Sequence, residues 1–192
     1  MRILLLSGGL DSVTLLYWSM EPIDLCLSVD YGQPHEAEVE AARVLCKLRG
    51  MSHEVASVNF DHAPQNGLLG GNDETAEASV VAGRNAAFVA LAAMRGATSV
   101  MLGCNADDQA HYMDCRAHIL RSVGIACGVS IELPFLQLTK SQIVELARNI
   151  NVPIDMTVSC YRGTLCGECA ACKAREAQTR RGRSPASLSR LA

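Results

Sequence analysis

Several stretches of this chain carry side chains whose types and spacing could do chemistry. The first is Leu6-Ser7-Gly8-Gly9-Leu10-Asp11-Ser12, which follows the apolar run Ile3 to Leu6 and precedes a helix-forming stretch, Val13 to Met20. A buried strand, a paired-glycine turn and a helix start offer backbone N–H groups and a positive dipole end to an anion, above all a phosphate. No Lys follows the glycines and no GxGxxG is present, so neither the Walker nor the dinucleotide fingerprint applies. The second stretch is the cluster Cys160, Cys166, Cys169 and Cys172, spaced C-x5-C-x2-C-x2-C, with Gly167 between the second and third cysteines. Four thiolates so close together match tetrahedral closure by Zn²⁺, and a closed four-thiolate set argues for a structural zinc. An iron–sulfur cluster also accepts four cysteines and stays the alternative.

The third stretch runs from Cys104 to Arg116 and gathers Asn105, Asp107, Asp108, Gln109, His111, Tyr112, Asp114 and Arg116. Its carboxylates could bind Mg²⁺, and Arg116 could neutralise a phosphate or a substrate carboxylate bidentately; a solvated loop is the other reading. Arg84 and Asn85 open an apolar helix, Gly83 to Arg95, either as ordinary water-facing residues or as part of a site.

The elements that must position these groups alternate between apolar β-like and amphipathic α-like runs. Strands are expected at Ile3 to Leu6, Asp24 to Val29, Glu54 to Val58, Ser99 to Gly103 and Val129 to Phe135. Helices are expected at Glu36 to Arg49, with Ala41, Val44, Leu45 and Leu48 facing the sheet, at Gly83 to Arg95, at Ala117 to Cys127, and after a Thr139–Gln142 capping box. In that last helix Ile143, Leu146, Ala147 and Ile150 face inward and Lys140 could also meet an anion. This order calls for a doubly wound, mostly parallel five-stranded sheet with right-handed crossovers, and it puts the polar stretches at strand carboxyl ends. Residues 59–81, with Pro64, Gly67, Gly70 and Gly71, form a long loop.

A chain of 192 residues holds one substantial core, so a single α/β domain is expected over residues 1–176, including the metal segment 156–172. Residues 177–192 are basic and read as a disordered tail. No apolar run is long enough to cross a membrane, and the net charge of −3 argues against stable nucleic-acid binding. A cytoplasmic location is expected, where the scattered Cys26, Cys46, Cys104, Cys115 and Cys127 are small buried hydrophobes rather than disulfide partners.

SGGLDS resembles, at every fixed position, the SGGxDS signature of the PP-loop ATP pyrophosphatases. That resemblance implies a loop that holds the pyrophosphate released when AMP passes to an acceptor oxygen. Asp11 would then help to hold Mg²⁺ with ATP, and Ser7 and Ser12 would donate hydroxyls to phosphate oxygens. The ordered set SGGLDS, DYGQPH, GRN, NADD-x5-DCR, SCY and C-x2-C-x2-C is similar to the QueC family, the 7-cyano-7-deazaguanine synthases of the queuosine pathway, over about residues 2 to 176. Departures are Ala82 in place of the family's usual Pro, a shorter gap from Cys160 to Cys166, and a trimmed 59–81 loop.

The resemblance implies conversion of 7-carboxy-7-deazaguanine, ammonia and ATP to the nitrile through AMP esters, in a homodimer. It also implies site roles. Leu6, Ser7, Gly8, Gly9, Leu10, Asp11, Ser12, Asp30, Tyr31 and Gly103 would bind ATP, and Gln33, His35, Arg84, Asn85, Asn105, Asp114 and Arg116 the substrate. Catalysis would fall to Asp11, Arg84, Asp107 and Arg116, and zinc to Cys160, Cys166, Cys169 and Cys172. A PP-loop tRNA thiolase carrying an iron–sulfur cluster and a non-enzymatic zinc-ribbon module are the competing readings.

Overall fold

The computed structural model describes residues 1–32, 36–59, 81–158 and 167–168. Five strands form one parallel sheet: β1 (Arg2–Leu5), β2 (Leu25–Asp30), β3 (His53–Ser57), β4 (Ser99–Met101) and β5 (Ser130–Glu132), in the order β3-β2-β1-β4-β5. The helices are α1 (Leu10–Trp18), α2 (Glu36–Arg49), α3 (Arg84–Met94), α4 (Ala106–His111), α5 (Ala117–Cys127) and α6 (Lys140–Asn149).

The sheet is apolar on both faces because both are covered, as parallel sheets require. On one face Leu4, Cys26 and Met101 meet Val13, Leu15 and Leu16 of α1, Ala42 and Leu45 of α2, and Ile143 and Ala147 of α6. On the other, Ile3, Leu27 and Val100 meet Val89 and Ala92 of α3 and Leu120 of α5. This is the doubly wound α/β fold that the alternating runs call for. No helix among the described residues is long and apolar enough to cross a membrane.

Three expectations need correction. The inward stripe of α2 is Ala42, Leu45 and Cys46, whereas Val44 and Leu48 are 38% and 62% exposed. Cys46 belongs to the stripe, and adding it to Leu45 turns the buried arc by one position. The solvated-loop reading of the stretch from Cys104 to Arg116 fails: α4 is followed by a 3-10 turn, Met113–Cys115. Asn105 caps α4 by accepting the Asp108 N–H at 2.9 Å, and the Asp108 carboxylate accepts the Asn105 N–H at 3.3 Å. Finally α1 starts at Leu10, so Asp11 and Ser12 lie in its first turn. The Thr139–Gln142 capping box of α6 is present as read, with Ile143, Val144 and Ala147 buried.

Arg2 ties the sheet together away from the polar stretches. Its guanidinium donates to both oxygens of Glu132, at 3.0 Å from Nε to Oε1 and 2.6 Å from Nη2 to Oε2, and to the Ser19 hydroxyl at 2.8 Å. The Ser99 hydroxyl also bonds Glu132. Arg2 therefore holds the Glu132 carboxyl below the usual glutamate range. Glu132→Gln is expected to lower stability at neutral pH by about 1–2 kcal/mol. A depressed carboxyl stabilises the fold above the ordinary glutamate range and loses that contribution as pH falls through the depressed value. Thermal melting should show the gap between wild type and variant closing in acid.

Candidate active site

The strand order reverses between β1 and β4, so the chains leaving these two strands diverge and open a crevice at their carboxyl ends. Leu6 is buried and donates its N–H to the Leu27 carbonyl at 2.9 Å, after which the backbone turns out. Ser7 and Ser12 hydroxyls lie 3.0 Å apart, and the Ser7 Oγ accepts the Gly9 N–H at 3.2 Å. The Ser12 hydroxyl also accepts the Ser7 N–H at 3.2 Å and bonds the Gly9 carbonyl at 3.1 Å. These bonds shape the loop before any ligand arrives. Gly9, the N-cap of α1, supplies no side-chain cap, so the opening N–H groups of the helix lack that acceptor.

Gly8 has φ +84, and a Cβ there would overlap the Glu38 carbonyl oxygen of α2. A Cβ on Gly103, beyond β4, would come to 3.2 Å from the Ser12 nitrogen. Both positions are places where backbone meets backbone.

Asp11 is the centre of a charged group built from three elements, α1, α4 with its cap, and α6. Its Oδ2 accepts from Asn105 Nδ2 at 3.0 Å and pairs with the Lys140 ammonium of α6. Its Oδ1 is buried without a hydrogen-bond partner among the described residues. Asn105 is fully buried. Asp107 does not touch Asp11; its Oδ2 accepts the backbone N–H of Lys140 at 2.8 Å and so caps α6. Burial pushes the Asp108 carboxyl up to about 6 despite the pull of Lys140, and the Asp11 charge adds to the rise. Burial works against the Lys140 charge, yet Asp11, with Asp108 and Asp107 behind it, raises that ammonium above the ordinary lysine range.

A second group lies beyond β2. Tyr31 is buried, its ring 5.6 Å from that of Phe88. The Arg84 guanidinium sits 5.9 Å from the Tyr31 ring centroid and 6.0 Å from that of Phe88, and its Nε is buried without a partner among the described residues. Burial pushes the Tyr31 hydroxyl up. It also pushes the Glu38 carboxyl of α2 up to about 8, against the lowering effect of Arg84. Asn85 is buried and donates to the Asp114 carbonyl at 3.2 Å, which ties α3 to the 3-10 turn. Asp30 accepts the Gly32 N–H at 3.1 Å and shapes the turn itself.

Leu6 to Ser12, Gly103 and Asn105 thus converge on the crevice, and Tyr31, Arg84, Asn85 and Asp114 on the second group. Arg116 is exposed and donates from Nε to the Gln109 carbonyl at 3.4 Å. Gln33, His35, Cys160, Cys166, Cys169 and Cys172 lie outside the described residues, within which no group of three or more His, Cys, Asp or Glu could hold a metal ion. Mg²⁺ carried by ATP needs less, one or two carboxylates beside the phosphates, and the unpartnered Asp11 Oδ1 fits that role. Sequence reasoning passes over Glu38, weighs Asp108 as a metal ligand rather than as the partner of the Asn105 cap, and weighs Lys140 only as an anion contact. The signal for Asp108 was there: Asn-x-x-Asp before a helix is a capping box.

Known proteins complete the picture. A family model described as "Queuosine biosynthesis protein QueC" matches residues 1–181. The 7-cyano-7-deazaguanine synthase of Picrophilus torridus is 35% identical, with 88% of this chain and 82% of that protein covered. The synthase of Parasynechococcus marenigrum is 36% identical over 94% and 93%. Among solved structures, the U34-tRNA thiolase NcsA from Methanococcus maripaludis with its [4Fe-4S] cluster superposes with a TM-score of 0.54 at 16% identity, covering 94% of this chain and 65% of that one; this is likeness of fold. A PP-loop crevice at the switch point, and a family match along nearly the whole chain, agree: the protein belongs to the QueC family.

Proposed function

We infer that the protein is an ATP-dependent carbon–nitrogen ligase that converts 7-carboxy-7-deazaguanine and ammonia to 7-cyano-7-deazaguanine. The observation that carries this reading is the family match along residues 1–181, with relatives of that name at about one-third identity. The site chemistry suits it. A carboxylate is a poor electrophile because oxide cannot leave. Its oxygen attacks the α-phosphate of ATP, pyrophosphate departs, and ammonia then displaces AMP to give the amide. The amide oxygen takes a second adenylyl group, and loss of AMP and a proton leaves the nitrile. No covalent nucleophile is required.

Each adenylation moves negative charge onto the leaving pyrophosphate, so fixed donors and cations should supply most of the catalysis. The opening N–H groups of α1 and the Ser7 and Ser12 hydroxyls face that charge, and Lys140 sits beside it. Magnesium entering with ATP neutralises phosphate charge, and Asp11 is the residue that would hold it. Arg84 orients the substrate. The test is to supply 7-carboxy-7-deazaguanine, ATP and ammonium and to follow the nitrile by mass, with AMP and pyrophosphate. Absence of nitrile and of any adenylated intermediate would overturn the reading.

The same reading gives Cys160, Cys166, Cys169 and Cys172 a structural zinc, in a cytoplasmic homodimer formed by the single domain of residues 1–176. Gly167, inside the first C-x2-C step of the sequence, takes φ +74, a conformation that favours glycine. Cys169→Ser should lower zinc content and melting temperature together, because metal binding at such a site is also local folding energy. Cys46→Ala, in the α2 stripe, should keep its zinc and lose only packing. Metal content per chain beside thermal melting decides; full zinc in the Cys169 variant, or a brown iron-containing wild type, would refute the assignment.

A further inference from the structure

The Asp11 carboxylate is engaged on one oxygen only. Its Oδ2 takes two donors, the Asn105 amide at 3.0 Å and the Lys140 ammonium, and its buried Oδ1 takes none among the described residues. A divalent ion brought to Oδ1 would share one negative charge with an ammonium already on Oδ2, and at that separation, sheltered from bulk water, the two cations repel. Lys140 and a metal therefore compete for Asp11. The Lys140 backbone cannot yield, because its N–H donates to Asp107 Oδ2 at 2.8 Å and it opens α6 behind the Thr139–Gln142 capping box. Its side chain can. Of that side chain 32% is in contact with solvent, and the flexible four-carbon stem re-aims its ammonium without moving the helix.

We propose that Lys140 is a movable counter-charge: with no nucleotide bound it sits on Asp11 and keeps divalent metal away, and the polyphosphate draws it off, so that Asp11 takes its metal only together with the nucleotide. This rests on the metal role given to Asp11 above. The exchange partners lie side by side, since the opening N–H groups of α1 that suit a phosphate belong to the same helical turn as Asp11. A polyphosphate carries several negative charges to the single one of Asp11 and accepts an ammonium readily. As Lys140 changes partner, Asp11 recovers its full charge at the moment a metal arrives to balance it, and neither group is left buried and unpaired. Asn105, fully buried and fixed as the cap of α4, holds the carboxylate in place throughout. Metal and polyphosphate then strengthen each other's binding by the same factor, as linkage requires.

The experiment measures Mn²⁺ bound to the protein by electron paramagnetic resonance, with and without inorganic pyrophosphate, on wild type and on Lys140→Met, which keeps an unbranched stem and removes the charge. Wild type should hold Mn²⁺ alone at least about tenfold more weakly than Mn²⁺ with pyrophosphate, and Lys140→Met should bind Mn²⁺ alone at least about tenfold more tightly than wild type. Without metal, the variant should bind pyrophosphate at least about tenfold more weakly than wild type, read by titration calorimetry. A wild type that holds Mn²⁺ equally well with and without pyrophosphate overturns the proposal, whether or not the variant folds. So does a variant that matches wild type in either of the other two measurements, which would make the Lys140–Asp11 pair a fixed structural one. The bound Mn²⁺ should disappear in Asp11→Asn; if it stays, the metal role of Asp11 fails and this inference falls with it. Neither probe is the deazaguanine acid, so loss of the ligase reading, seen as absence of nitrile, is told apart from loss of this one.

Discussion

Asp11→Asn is expected to slow ATP consumption by about a thousandfold, roughly 4 kcal/mol of transition-state stabilisation, while the melting temperature moves by a few degrees at most. The carboxylate does two things that an amide cannot. Its Oδ2 neutralises the Lys140 ammonium, and its buried Oδ1, without a partner among the described residues, is the atom proposed to hold a cation that comes with the nucleotide. Asn keeps the shape, and its carbonyl can still accept from Asn105. The fold therefore survives, because the lost pair is a partly exposed one, with 32% of the Lys140 side chain in contact with solvent. Pyrophosphate release in steady state and calorimetric melting are the measurements. ATP turnover within tenfold of wild type would remove Asp11 from the metal-holding role.

Gly8→Ala should be the most damaging glycine-to-alanine change among the described residues, costing at least about 3 kcal/mol of stability and most of the activity. Two penalties coincide there. The backbone has φ +84, unfavourable for any residue with a Cβ, and the added carbon would overlap the Glu38 carbonyl oxygen and lie 3.2 Å from the Ala42 nitrogen. Backbone in a packed helix cannot step aside as a flexible side chain would. Gly50→Ala is the control: φ is +64, but nothing lies within 4 Å of the added carbon, so about 1 kcal/mol of conformational strain is all it should lose. Equal losses of stability in the two variants, measured by urea denaturation, would show that the α2 contact does not matter.

Local chemistry was legible in the sequence, and long-range pairing was not. SGGLDS after an apolar run announces a strand, a phosphate loop and a helix, because all three are set by neighbouring residues. The Thr139–Gln142 cap reads equally well. The α2 stripe was misjudged by one position because Cys46 was grouped with the other cysteines rather than with its helix. The helical turns after β4 are harder to read, because Asp107 and Asp108 suggest ligands by residue type while both are engaged in capping α6 and α4. Glu38 and Lys140 were hidden for another reason. A charged side chain in the first turn of a helix normally faces water, and only the packing of α2 on the phosphate loop and of α6 beside α1 turns these two inward.

The partners of Asp11 have a bearing on how the protein is made. Asn105 and Lys140 lie 94 and 129 residues further along the chain. A ribosome that has released residues through β3 has already supplied the three-stranded half β3-β2-β1, and domains acquire structure in the order in which they emerge. At that stage the loop around Asp11 has no β4 beside it, no Asn105 to hold the carboxylate and no ammonium to balance it. Nascent chains halted before α6 should therefore carry the nucleotide signature and still be unable to retain ATP. Within this chain the nucleotide loop is written first and completed last.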